Sequence, residues 1–165
     1  MEMLKRFTFE LPCPISVNAI YKMAIRGKYG NMLPHPHIYM TPEAKDLKEE
    51  MALIIRNQAL AQGMPKFKDT YIIAEVIPYN LRANADTNNL HKLLWDAFQD
   101  SGYIDDDKHI IERTPRRLKT PDKVRKVSVT LYEPKGQPSQ EDIKTYFWWC
   151  DAENLKLELD NEEDK

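Results

Sequence analysis

Cysteine is scarce in this chain. Cys13 and Cys150 are the only two in 165 residues. Neither has the spacing of a zinc or redox motif, and a reducing, cytoplasmic setting is expected. Long apolar runs are absent too: nothing approaches the roughly 18 residues that a membrane helix needs. The stretch Met1 to Leu11 alternates and carries charge, unlike a signal peptide. There are no internal repeats. Charge of one sign is not in excess overall, since the net charge is −2, but its distribution is uneven. Residues 1–135 hold 21 Lys/Arg against 17 Asp/Glu, whereas residues 136–165 hold 3 against 9. A mildly basic body with an acidic tail is compatible with nucleic-acid binding. The expected organisation is one domain over residues 1–135, followed by a linker and an acidic, aromatic-containing tail over 136–165.

The chain reads as alternating strands and helices. Residues 6–11 alternate as a strand. A loop with Arg26, Lys28, Tyr29 and Gly30 follows, and it could touch a nucleic-acid backbone or simply be solvated. His35 and His37 lack a third ligand at metal spacing, and the alternate prolines suit an extended edge segment leading into a strand at 38–40. Thr41-Pro42-Glu43 starts a helix over 42–62 with Leu47, Met51, Ile54 and Ile55 as its buried stripe. Residues 70–79 are apolar on both faces and read as an interior strand. Residues 109–118 and 124–132 read as two strands of a hairpin turning at Thr120-Pro121-Asp122. The fold class expected is α/β or α+β, a mixed sheet of about five strands packed against two main helices.

The chemistry concentrates around the second helix, 88–101. Leu90, Leu93, Leu94, Ala97 and Phe98 make its apolar face, and Asn88, Lys92, Asp96 and Gln99 lie opposite. Asp86 stands at its mouth, Lys92 one turn in, and Asp105-Asp106-Asp107 just beyond its end. Oxygen-rich groups of this kind suit hard divalent cations, and adjacent like charges are easier to explain with a cation present. Carboxylates and a Lys around such an ion form a kit for phosphodiester hydrolysis. The plainer reading is an N-cap, a surface Lys and a polar turn. Arg113, Arg116, Arg117, Lys119, Lys123, Arg125 and Lys126 give seven cations in fourteen positions with Asp122 as the one acid, a footprint suited to phosphate contact.

These residues resemble the RusA family of Holliday-junction resolvases. The family pattern runs Asp-x-Asp-Asn-Leu-x-Lys, then Asp-Ala, a Gly, and an Asp-Asp pair followed two residues on by Gln. Here the chain has Asp86-Thr87-Asn88-Asn89-Leu90-His91-Lys92, then Asp96-Ala97, Gly102, and Asp106-Asp107-Lys108-His109. Leu11-Pro12-Cys13-Pro14-Ile15-Ser16-Val17-Asn18 is similar to the family's opening, and the likeness covers roughly residues 6–133. The resemblance implies a homodimeric, Mg²⁺-dependent (or Mn²⁺-dependent) endonuclease that resolves four-way DNA junctions. It implies Asp86, Lys92 and Asp107 as catalytic residues, and Asp86, Asn88, Asp106 and Asp107 as the metal-binding set. Asn88 stands where the family has a second catalytic Asp. An amide oxygen can ligate Mg²⁺ but brings no charge. The alternative is therefore a junction-binding protein that does not cut.

Overall fold

The computed structural model describes residues 3–26, 35–81, 88–114, 116–137 and 139. Within them lie six strands, three helices and one short 3-10 turn. Strand β1, Met3–Pro12, pairs antiparallel with β6, Lys126–Pro134. Along β1, Phe7, Phe9 and Leu11 are buried while Arg6, Thr8 and Glu10 are exposed, which is the period-2 pattern of a strand with one face on a core. Strand β4, Ile72–Tyr79, is buried over most of its length and occupies an interior position. It pairs antiparallel with β6 and parallel with β5, Ile110–Arg113. The sheet order is β1-β6-β4-β5, mixed in direction as expected.

Helix α2, Pro42–Ala61, begins where the Thr41 hydroxyl accepts from the Ala44 amide at 3.3 Å, with Pro42 in the first turn. Met51 and Ile55 are fully buried and Leu47 and Ile54 half-buried against the core. Helix α3, Asn88–Ser101, buries Leu90, Leu93, Leu94, Ala97 and Phe98 as its periodicity predicts. Phe98 meets Phe9 of the sheet edge-on at 5.2 Å, an arrangement that aromatic quadrupoles favour. A short helix α1, Val17–Ile20, puts Ile20 into a satellite cluster with Ala44 and Leu93.

Two expectations about strand partnership are corrected. The segment around 38–40 belongs to β3, His35–Met40, which pairs with β2, Tyr21–Arg26, in a separate two-stranded sheet. So the part of the expected loop up to Arg26 is strand, and residues 27–34 lie outside the described residues. The 109–118/124–132 hairpin does not form. β5 ends at Arg113 and lies on the far side of β4 from β6. The chain between them crosses the end of β4, where Leu118 bridges Tyr79 and exchanges backbone hydrogen bonds with Pro78 and Asn80 at 3.1 and 2.8 Å. The turn at Thr120-Pro121-Asp122 is present, closed by the Lys123 amide to the Thr120 carbonyl at 3.1 Å. Among the described residues no helix is long and apolar enough to cross a membrane.

Candidate functional site

Helix α3 turns Lys92 and Asp96 to one exposed side, an i,i+4 pair with Nζ 2.9 Å from Oδ1. Asp96, Tyr21 and Asp107 all hold the Lys92 ammonium above its ordinary pKa, the Asp96 hydrogen bond most strongly and against a smaller opposing effect of desolvation. Lys92 is therefore a fixed cation, fit to stabilise negative charge and unfit to shuttle a proton near neutrality. Asp107 lies fifteen positions further along but belongs to the same electrostatic neighbourhood. It opens the 3-10 turn Asp107–His109, which abuts α3. Of the three residues expected to be catalytic, Lys92 and Asp107 thus lie within electrostatic range of one another. Asp86 and the Asn88 side chain lie outside the described residues.

The triple-Asp turn divides its work. Asp106 caps the 3-10 turn: Oδ1 accepts from the Lys108 amide at 3.0 Å and Oδ2 meets Lys108 Nζ at 2.7 Å. Lys108 holds the Asp106 carboxyl below its usual range. Both oxygens of this expected metal ligand are engaged, so serving a metal requires releasing Lys108. Asp107 is exposed, and its carboxylate accepts no hydrogen bond among the described residues. Asp105 turns the other way. Its Oδ2 accepts from the Asp69 amide at 2.8 Å, the main cause of its lowered pKa, and its Oδ1 stands 3.5 Å from His109 Nδ1.

Asp69, Asp105 and His109 form a group that could hold a metal ion, with one ligand atom from each, all within 4.8 Å of one another. The two aspartates are exposed and His109 is buried. Sequence reasoning missed Asp69, which lies 36 positions before Asp105. The residues meet because Phe67 bridges Ile104 and its amide donates to the Tyr103 carbonyl at 2.8 Å. Asp69, at φ 47°, then turns the chain beside the Asp cluster.

Beneath α3 sits a polar array the sequence did not single out. His91 Nδ1 is 2.9 Å from Glu112 Oε1, and Trp95 Nε1 donates to Glu112 Oε2. Burial pushes the Glu112 carboxyl up, but His91 and Trp95 outweigh it and hold the group below its ordinary value.

The basic residues also separate. Arg113 stands apart from the other six cations: it pairs with Glu75, a buried residue of β4 that also accepts from the Tyr132 hydroxyl. Lys126 is partly neutralised, 3.0 Å from Glu10 and over the Tyr79 ring. Arg116, Arg117, Lys119, Lys123 and Arg125 are exposed along the β5–β6 connection, and among the described residues none of the five is in an ion pair. Asn80, at φ 56°, organises that connection. Its side chain accepts from the Thr120 amide at 2.9 Å and donates to the Val124 carbonyl at 2.6 Å. No protein-family model matches the chain. No curated protein matches it either.

Proposed function

We propose that this chain is a divalent-metal-dependent endonuclease that binds four-way DNA junctions as a homodimer and cuts them. The RusA resemblance supplies the motif, and one observation carries the reading most: Asp107, paired with Lys92 by the motif, is near enough to help hold the exposed Lys92 ammonium charged. The donors named for the ion are Asp86, Asn88, Asp106 and Asp107, all oxygen ligands, which fit Mg²⁺ and also accommodate Mn²⁺. When bound, such an ion activates water and neutralises charge on the phosphoryl group. Lys92 contributes a permanent positive charge beside the scissile phosphate. The five exposed cations of the β5–β6 connection grip the DNA backbone, a term that weakens as salt rises. A two-fold dimer would match a two-fold junction with paired incisions. The protein would work in the cytoplasm, on bacterial or phage DNA.

A second reading has its own support in Asn88. With an amide in place of a carboxylate, the site loses one negative charge, and the protein would hold junctions without cutting them.

One experiment decides between them: a labelled four-way junction with Mg²⁺, comparing wild type, Asp86→Asn and Asn88→Asp. Cleavage by wild type, abolished in Asp86→Asn, supports the nuclease. Binding without cleavage, with cutting gained in Asn88→Asp, supports the disarmed binder. Failure to bind the junction at low salt overturns both.

A further inference from the structure

We propose that Asp69, Asp105 and His109 form a metal site separate from the Asp86–Asp107 group, one that takes a first-row transition ion of the Mn²⁺ or Zn²⁺ class. The inference does not depend on nuclease activity.

Two exposed aspartates alone would be ordinary surface chemistry. His109 makes the difference. It is only 8% exposed, and its Nδ1 makes no well-directed hydrogen bond among the described residues, the Asp105 carboxylate being a long ion-pair partner. Buried polar atoms in native proteins are almost always satisfied, so such an atom calls for an explanation. Nδ1 points to the carboxylate pair, at 3.5 Å from Asp105 Oδ1. Tyr71 packs edge-on against the ring at 5.4 Å and 86°, which fixes its plane.

The dimensions suit a single ion. Metal bonds of about 2.0–2.2 Å from imidazole nitrogen and carboxylate oxygen place neighbouring ligand atoms roughly 3–4.4 Å apart. The observed separations, up to 4.8 Å, need only small side-chain turns to close. An imidazole beside two carboxylates selects Mn²⁺ or Zn²⁺ over Mg²⁺, which prefers oxygen alone. Lys108, whose charge is felt at Asp69 and Asp105, is tied to Asp106 and so does not occupy the site. The bound ion would clamp the approach to β4 onto the residues before β5. Asp107 lies between two of the ligands, so the ion would also hold the backbone that carries it.

The test uses the full chain, stripped with chelator and titrated with Mn²⁺ under electron paramagnetic resonance. Pulsed measurement of ¹⁴N coupling then reports a histidine ligand. The expected result is a bound Mn²⁺ with one imidazole coupling in wild type. That coupling should vanish in His109→Gln, and affinity for this site should fall about tenfold or more in Asp69→Asn, a change at an exposed residue that leaves the core untouched. It should persist in the double variant Asp86→Asn/Asp107→Asn. Zn²⁺ should displace the coupled Mn²⁺. Absence of ¹⁴N coupling in wild type would overturn the proposal and leave a plain His109–Asp105 ion pair. Coupling that survives His109→Gln, or that disappears in the Asp86/Asp107 double variant, would overturn it as well.

Discussion

Glu112 is held between two residues of one helix, paired with His91 and accepting from Trp95, which are spaced i,i+4 on α3. Its carboxyl sits below its ordinary pKa despite burial. For a carboxylate with a lowered folded value, the unfolded chain binds the proton first as acid is added. The stabilisation is therefore complete near neutral pH and is lost as pH falls through the ordinary carboxylate range to the folded value. Glu112→Gln should cost about 1–2 kcal/mol at pH 7, with the gap to wild type narrowing below about pH 4. Urea unfolding at several pH values measures this, and a gap that is constant with pH would refute it. Periodicity could not reveal this array, because His91 and Trp95 sit on positions that the polar–apolar pattern leaves ambiguous. The Lys92–Asp96 pair was legible, since i,i+4 neighbours follow from helix geometry. Asp69 was not, because its partners depend on a contact made across 36 positions.

At the scale of elements, helix α2 protects a sheet edge. β1 is an edge strand, so the outward amides and carbonyls of Thr8 and Glu10 have no strand to meet. Gln62 receives the Thr8 amide and donates to the Thr8 carbonyl, both at 2.8 Å. Gln58 does the same for Glu10 at 3.1 Å. Two glutamines one turn apart thus imitate a neighbouring strand and blunt an edge that would otherwise invite pairing. The double variant Gln58→Ala/Gln62→Ala should lose about 1–3 kcal/mol of stability, a discounted sum because the bonds are solvent-exposed. Amide exchange at Thr8 and Glu10 should accelerate. Unchanged exchange there would show that the glutamines protect nothing. Both main helices and the interior strand were readable from hydrophobic period and caps. The pairing of β5 was not. Strands adjacent in sequence usually neighbour each other, yet here the connection passes over the end of β4, held by Asn80, whose role no local pattern announces.

Across the whole molecule, the sheet closes by joining the beginning of the described chain to its end. Pro12 faces Lys126 and Met3 faces Pro134, and β6 lies between β1 and β4. A chain cut after Arg125 should lose the cooperative unfolding transition altogether, because β1 and β4 then share no strand. Circular dichroism melts of the truncated and full chains check this, and a retained sharp transition would contradict it. The same closure has a consequence for biosynthesis. Of the described strands, β1 leaves the ribosome before the others and β6, its partner among them, after the others, a wait of roughly ten seconds at ordinary elongation rates. Helix α2 is complete well before β6 is made, and its glutamines can cover one side of β1 while the other side stays open. Contacts this distant in sequence slow folding, so the unpaired inner edge of β1 is where a nascent or overexpressed chain is most exposed to misassociation.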